Sequence, residues 1–271
     1  MRVEDTRKDK RPQTLQTALR AGQVLTLFSE REPELSVARV AGLLSVPPST
    51  AYRLLASLQE ASLVEQNPET KRYRLSWMMF TLGNSVLNRI GLGGRADSAM
   101  RSLADVSGET VNLGVRSGGA LIYLRKIESP EMLRADTHIG SRVPLHCTAL
   151  GKVLLAFLSP SERTIEIRSL SLRRWTEHTI TDPDRLEEEL QCVRACGVAI
   201  DNEEFQSGVR GMACPIRDRR GQVIAGLSIG APVSRLTDAR IRELECPLRE
   251  QADGVSRSLG CPEECLSLHP A

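Results

Sequence analysis

Apolar positions fall into helical and strand periods along most of the chain. Over residues 14–28, Leu15, Ala18, Leu19, Leu25 and Phe28 recur at helical spacing, and Thr14 stands where it would cap the first turn. Gly22 weakens this helix by about 1 kcal/mol relative to alanine, so packing against the rest of the fold must hold the turn. Ser36 is a good N-cap for a short second helix over 37–44, with Val37, Val40, Ala41 and Leu44 inward. Ser45-Val46-Pro47 ends it, because proline disfavours helical backbone in the preceding residue, and Pro48 suits the first turn of a new helix. That third helix has the clearest period in the chain. Ala51, Leu54, Leu55 and Leu58 stand at i, i+3, i+4 and i+7, leaving Ser49, Thr50, Tyr52, Arg53, Ala56 and Ser57 outside. Residues 63–66, 67–70 and 71–75 then predict strand, turn and basic strand, a β-hairpin.

Three helices and a hairpin, with two helices joined by a three-residue turn, predict a winged helix-turn-helix and hence double-stranded DNA as partner. The chemistry agrees. A helix N-terminus in a major groove presents Ser49 and Thr50 to phosphate oxygens or base edges, Tyr52 shares the outer face, and Arg53 one turn later reaches a phosphate or a guanine. Lys71, Arg72 and Arg74 lie on the wing, where strand alternation would keep all three from facing one way. Phosphate or minor-groove contact is expected from one face only. An arbitrary charged triplet would be read as solvated surface, but these charges occupy the groove-facing parts of a motif.

The remainder mixes both periods. Residues 77–91 predict a linker helix in which Trp77, Phe80, Val86, Leu87 and Ile90 can pack. Further helices are expected over 96–106, 148–158, 182–196 and 237–258, and strands over 110–116, 121–127, 211–217 and 223–230, with turns at Ser117-Gly118-Gly119 and Arg219-Arg220-Gly221. Strands in hairpins with helices between them argue for an α+β domain around a largely antiparallel sheet.

The composition, 41% hydrophobic, is that of a globular protein, and the net charge of +2 conceals an asymmetry. Residues 1–75 hold 12 Lys/Arg against 9 Asp/Glu, while residues 76–271 hold 24 against 25. An excess of three charges points only weakly to a polyanion, so position carries the argument. Residues 1–13 are polar and predict a flexible arm. No apolar run approaches the ~18 residues of a spanning helix, and no secretory segment is evident, so a cytoplasmic protein without a membrane partner is expected.

The 7 scattered cysteines predict reduced thiols. Cys192 with Cys196, and Cys261 with Cys265, have i,i+4 spacing, but without CxxC knuckles or nearby histidines they predict no metal, and no cofactor is expected. The alternative, a hydrolase or redox enzyme with a helix-turn-helix-like accessory domain, needs a nucleophile and a base that converge. His146 and Cys147 are neighbours that point opposite ways on a strand, and the 4 histidines (His138, His146, His178, His269) form no motif with the cysteines. Gly151-Lys152 lacks the glycine and hydroxyl that a phosphate loop places at positions 146 and 153, so Lys152 is expected in an ion pair or a cap. Thr148, by contrast, can cap a helix starting at Ala149, where free N–H groups would seat a carboxylate.

The chain resembles the IclR family of transcriptional regulators from about residue 14 to 236. The N-terminal likeness rests on Val46-Pro47-Pro48-Ser49-Thr50-Ala51-Tyr52-Arg53-Leu54-Leu55, Leu63-Val64-Glu65 and Asn67-Pro68-Glu69-Thr70-Lys71-Arg72-Tyr73-Arg74-Leu75. The C-terminal likeness rests on Gly108-Glu109-Thr110-Val111-Asn112-Leu113, Pro144-Leu145-His146-Cys147-Thr148-Ala149-Leu150-Gly151-Lys152 and Gly197-Val198-Ala199-Ile200-Asp201-Asn202-Glu203-Glu204. The resemblance implies an α+β chain without catalytic activity: a winged helix-turn-helix over 14–76, a linker helix over 77–94 that helps build a dimer, and a GAF-like α/β effector-binding domain over 95–260. It implies a homodimer or homotetramer on a palindromic operator, regulating catabolic genes. For the effector it implies Ala149, Leu150, Asp201, Val209, Gly211, Ser228 and Gly230, with Met132 and Leu133 on the apolar side. Ser45 stands where the family usually has glycine, and Thr17 where arginine is common. Gly211 and Gly230 offer no side-chain donor where relatives place polar residues, which favours a larger or aromatic carboxylic acid or a related amide.

Overall fold

A computed structural model describes residues 14–29, 31–92 and 94–266 of the 271-residue chain. The expected polar arm over 1–13 and His269 lie outside the described residues. The chain divides after Arg89 into two compact units.

The first unit holds α1 (Gln16–Leu25), α2 (Val37–Leu44), α3 (Pro48–Glu60), β1 (Val64–Gln66), β2 (Tyr73–Leu75) and nearly all of α4 (Trp77–Ile90). Leu15, Ala18 and Leu19 of the face expected for the first helix are exposed; the core is the stripe that the periodicity marks in α2 and α3, Val40, Ala51, Leu55 and Leu58, joined by Val24, Leu35 and Tyr73. Those last two exchange backbone hydrogen bonds of 2.8 Å in both directions, which ties the entrance of α2 to the wing. Ser36 caps α2 by accepting from the Arg39 N–H. Thr14 caps nothing: α1 begins at Gln16 behind Leu15, a residue with no side-chain acceptor. Ser45 takes the left-handed backbone (φ 52°) that the turn into α3 requires.

The wing is shorter than expected. The Asn67 side chain accepts from the N–H groups of Glu69 and Thr70, and Lys71 adopts a positive φ of 56°, so the turn reaches through Arg72 and β2 starts only at Tyr73. On α4, Trp77, Phe80, Leu82 and Val86 are exposed, and Trp77 meets Phe80 edge to face at 6.4 Å. The Ile90 side chain lies outside the described ones.

The second unit is built on a six-stranded, wholly antiparallel sheet. Its strands are β3 (Thr110–Ser117), β4 (Ala120–Ile127), β5 (Arg142–Val143), β6 (Ala199–Asn202), β7 (Val209–Arg217) and β8 (Val223–Pro232), in the order β5-β4-β3-β8-β7-β6. One face carries α5 (Asp97–Ser107) and α9 (Asp238–Ser258) over Leu103, Val111, Leu227 and Leu244. The other carries α6 (Ala149–Ala156) and α8 (Pro183–Cys196) over Leu150, Val153, Leu186 and Ala213. A short α10 (Glu263–Leu266) follows α9. Strands β5 and β6 and helix α7 (Pro160–Ser169) are additions to the expected elements. Helix α7 has a capping box between Ser159 and Glu162.

Glycines let α6 lie close on the sheet. A Cβ at Gly226 would stand 2.7 Å from Leu150 Cδ2, and one at Gly114 3.1 Å from Leu150 Cδ1. At Gly151 it would overlap the Leu145 carbonyl. The start of α6 is thereby fixed over the middle strands, where the second unit's cavity lies.

Candidate functional site

On the first unit, α3 opens at Pro47, which has no capping side chain. The Pro47 carbonyl accepts from Thr50 (2.9 Å) and Ala51 (3.1 Å), whereas the Ser49 N–H has no partner among the described residues. Ser49, Tyr52 (56% exposed) and Arg53 face solvent, and Thr50 is half-buried. The wing's basic residues sort themselves by pairing. Arg74 is held by Glu65 at 2.7 Å and by Glu34 at 3.7 Å, so its charge is spent within the unit. Lys71 and Arg72 are exposed in the turn and make no ion pair within 4 Å among the described residues, although Arg72 lies close enough to help hold the Glu32 carboxyl low, behind the stronger hydrogen bond from Arg39. The expectation that strand alternation would divide these three residues is corrected, because Lys71 and Arg72 precede the strand.

On the second unit, a cavity of about 270 Å³ opens between the sheet and α6. Its floor is the cross-strand pair Gly211 and Gly230, flanked by Ser228 beside Asn112. Ala149 and Leu150 cover it, Asp201 and Val209 form one wall, Tyr123, Val143 and Phe205 supply apolar surface, and Ala135, Thr137 and His138 close a side. Seven of the residues that the resemblance implied thus come together: Ala149, Leu150, Asp201, Val209, Gly211, Ser228 and Gly230.

Met132 and Leu133 do not join them, being 98% and 67% exposed. Their segment is anchored from outside. Arg235 donates to Glu109 and to the Leu133 carbonyl, each at 2.8 Å, and Thr110 Oγ1 donates to the Ala135 carbonyl, so Ala135 reaches the cavity instead.

The cavity is rich in unspent donors. Thr148 caps α6 by accepting from the Gly151 N–H and donating to the Pro144 carbonyl, which leaves the N–H groups of Ala149 and Leu150 without partners. Asn112 Oδ1 accepts from Thr137 Oγ1 at 2.7 Å, and its NH₂ is uncommitted. The hydroxyls of the buried Tyr123 and Ser228 likewise have no partner among the described residues. Asp201 Oδ1 accepts from the Glu204 N–H at 2.8 Å, and burial, with Glu204 adding to it, pushes this carboxyl up to about 7.

Behind the cavity, Lys152 is buried to 1% exposure with its Nζ 2.6 Å from Glu204 and 2.7 Å from Glu189. Burial works against its charge, but Glu204 and Glu189 outweigh burial and its pKa is raised. The other Glu204 oxygen, Oε2, has no partner. Burial raises the Cys147 thiol far above its ordinary value and lowers His146, whose Nε2 lies 3.1 Å from the Arg173 carbonyl. Neither is poised as a nucleophile.

Among the described residues no group of three or more His, Cys, Asp or Glu is placed to hold a metal, and no helix is long and apolar enough to cross a membrane. Asn112, Tyr123, Thr137 and Phe205 were missed from the sequence. Asn112 alone carried a signal, as an amide between Val111 and Leu113 in the apolar half of its strand.

The family model for the IclR helix-turn-helix domain matches residues 17–68, and that for the C-terminal domain of the bacterial transcriptional regulator IclR matches 84–257. The chain is 35% identical over 252 residues to the HTH-type transcriptional regulator KdgR of Escherichia coli, covering 93% of this chain and 95% of that protein. It is similar to the crystal structure of the Thermotoga maritima IclR (TM-score 0.71, 31% identity, 90% of this chain and 98% of the other). An IclR homolog of Microbacterium hydrocarbonoxydans complexed with 4-hydroxybenzoate has the same fold (TM-score 0.78, 24% identity, 90% and 98% covered).

Proposed function

The chain belongs to the IclR family of DNA-binding transcriptional regulators, and on that premise we propose that it is a ligand-responsive regulator of catabolic genes whose effector is a small organic carboxylic acid. It is a regulator, not an enzyme. The observation that carries the ligand class is the start of α6, where two unpaired N–H groups and the dipole of the helix face a cavity beside three further unused donors. Such a site suits an anion with acceptor oxygens at one end. The glycine pair beneath it leaves room for a ring or a longer chain, so a larger or aromatic acid, or the related amide, is the preferred effector.

Ser49, Thr50, Tyr52 and Arg53 enter the major groove, and Lys71 and Arg72 neutralise phosphates from the wing. The protein binds a palindromic operator as a homodimer or tetramer, a reading supported by the apolar residues that α4 exposes, with Trp77 at 80% and Phe80 at 64%. Ligand alters operator affinity by the difference in its affinity for the DNA-competent and incompetent states.

The test is binding to the protein's own promoter region over a range of salt concentrations, with and without 4-hydroxybenzoate as first probe. Arg53→Ala is expected to weaken binding at least tenfold and to flatten the salt dependence. Unchanged affinity at every salt concentration would refute the groove assignment.

A further inference from the structure

Asp201 is the puzzle of the cavity. The buried polar groups that face it with bonding capacity to spare include the Ala149 and Leu150 N–H groups, the Asn112 amide, and the Ser228 and Tyr123 hydroxyls, whereas the Asp136, His138 and Gln206 side chains that also line it are exposed. A fixed negative charge among them would repel the anion that the donors are arranged to hold. The surroundings of Asp201 offer it little help as an anion. Glu204, three residues on, donates its backbone N–H to Oδ1, and the Phe205 backbone also favours the anion, but Glu204 brings its own carboxylate into the same buried region. Lys152 of α6 is a buried cation of this region, and it already bonds both Glu204 and Glu189 of α8. Tyr123 of β4 and Cys147, just before α6, are neutral and buried. On β7, Gly211 pairs with Asp201 and has no side chain, while the Arg210 guanidinium is engaged by Asp238 and the Leu236 carbonyl. His138, at the side of the cavity, is half-exposed and lies 3.9 Å from Asp136. Behind the wall one buried cation therefore already faces two carboxylates, the buried Glu204 and the partly exposed Glu189, before Asp201 is counted.

We propose that the cavity takes an organic acid as its anion together with one proton held on Asp201, so that Asp201 decides which charge state of ligand is accepted. This rests on the carboxylic-acid reading of the cavity. The proton is drawn from solvent, becomes the Asp201 O–H, and makes the carboxyl one more donor to the ligand. No covalent bond to the ligand forms or breaks. Near neutrality the free protein holds the proton on Asp201 only part of the time, so ligand and proton bind cooperatively. A cationic ligand would demand the opposite, and a neutral one would be nearly indifferent to pH.

The full-length protein is titrated calorimetrically between pH 5.5 and 9 with acetate, benzoate and 4-hydroxybenzoate as probes and with benzamide as neutral control, in buffers of different ionisation enthalpy. For any acid that binds, affinity is expected to fall about tenfold per pH unit above pH 8, with close to one proton taken up there and little at pH 5.5. Benzamide is expected to show less than a threefold change. Asp201→Asn, whose amide imitates the protonated carboxyl and keeps an acceptor for the Glu204 N–H, is expected to bind the acids without this slope. An acid that binds wild type with no proton uptake at pH 8, a benzamide slope equal to that of the acids, or an unaltered slope in Asp201→Asn would overturn the proposal. Those results would leave the carboxylic-acid reading intact. If none of the acids binds at pH 5.5, that reading falls and this one with it, whereas the DNA-binding assignment is judged separately through Arg53. The proton count on wild type stands even if the variant folds poorly.

Discussion

Helices α3 and α6 both begin with N–H groups that the chain itself leaves unused, but they begin in opposite surroundings. At α3 the Ser49 N–H stands behind two exposed prolines, with serine, tyrosine and arginine around it in water. At α6 the Ala149 and Leu150 N–H groups face a cavity, and every residue of the helix is buried. An anion at α3 remains partly hydrated and is screened by salt, so binding there needs extra cations such as Arg53 and the wing residues. An anion at α6 loses most of its water, and the chain must satisfy it completely or meet its charge with a proton. The difference explains where the chain keeps its cations. In the first unit Lys71 and Arg53 are exposed, whereas Lys152 is buried against Glu204 and the partly exposed Glu189.

The sharpest way to break this contrast is to remove one cation from each unit. Lys152→Met leaves Glu204 and Glu189 without their shared partner, and Glu204 already has one unpaired oxygen. A loss of about 3–5 kcal/mol is expected in chemical denaturation of the second unit. Arg53→Ala, on an exposed position with no ion pair, is expected to change stability by less than about 0.5 kcal/mol while costing operator affinity. Comparable stability losses in the two variants would mean that Lys152 is not the buried counter-charge described above.

Asp201→Asn should act in a direction set by its titration. Its carboxyl is raised from 3.8 to about 7 in the folded chain, chiefly by burial, so the native state binds its proton more tightly than the unfolded state does. Between those values rising pH strips the proton from the unfolded chain first, and the fold loses stability until the native carboxyl has ionised. The asparagine variant escapes this loss. Relative to wild type its Tm is expected to rise as pH goes from 5 to 8, by a few degrees at pH 8 and by little at pH 4. A Tm difference that does not vary with pH would remove Asp201 from the titrating groups.

Much of the first unit was legible because its chemistry is local. The period Ala51-Leu54-Leu55-Leu58, the Ser36 cap and the Pro47-Pro48 break each act within one or two turns. The wing boundary was misjudged because Asn67 turns the chain through a side-chain bond that apolar alternation does not register. In the second unit the N-cap Thr148 was equally local. The cavity was not, since its floor depends on the registers that set Gly211 opposite Gly230 across the β7–β8 hairpin and Asn112 opposite Ser228 on strands far apart in sequence. Met132 and Leu133 looked suitable by apolarity alone, but Arg235, some hundred residues away, fixes where their backbone runs. Helix α7 was missed because both its sides are largely polar or exposed, which leaves no period to read.

A smaller effect separates the two helix starts by their caps. Thr148→Ala removes the acceptor for the Gly151 N–H and the donor to Pro144, and should cost about 1 kcal/mol. It should also weaken acid binding, because a third N–H then loses its fixed direction. No side chain caps α3, so its start depends on the backbone turn that leads into it.

That turn gives the smallest prediction. Ser45 ends α2 at φ 52° and ψ 47°, its N–H bonded back toward Ala41 and Gly42, and its side chain is exposed. A left-handed conformation costs a residue with a Cβ about 1 kcal/mol that glycine does not pay. Glycine recovers that strain but gives the unfolded chain more freedom, which offsets part of the gain. Ser45→Gly is therefore expected to stabilise the first unit by about 0.5 kcal/mol, with operator affinity within twofold of wild type, because the geometry that launches α3 is unchanged. A clear loss of stability would show that the serine hydroxyl holds the turn. A clear change in operator affinity would show that the α3 N-terminus is positioned by more than its preceding backbone, and the contrast with the side-chain-capped α6 would then have to be redrawn.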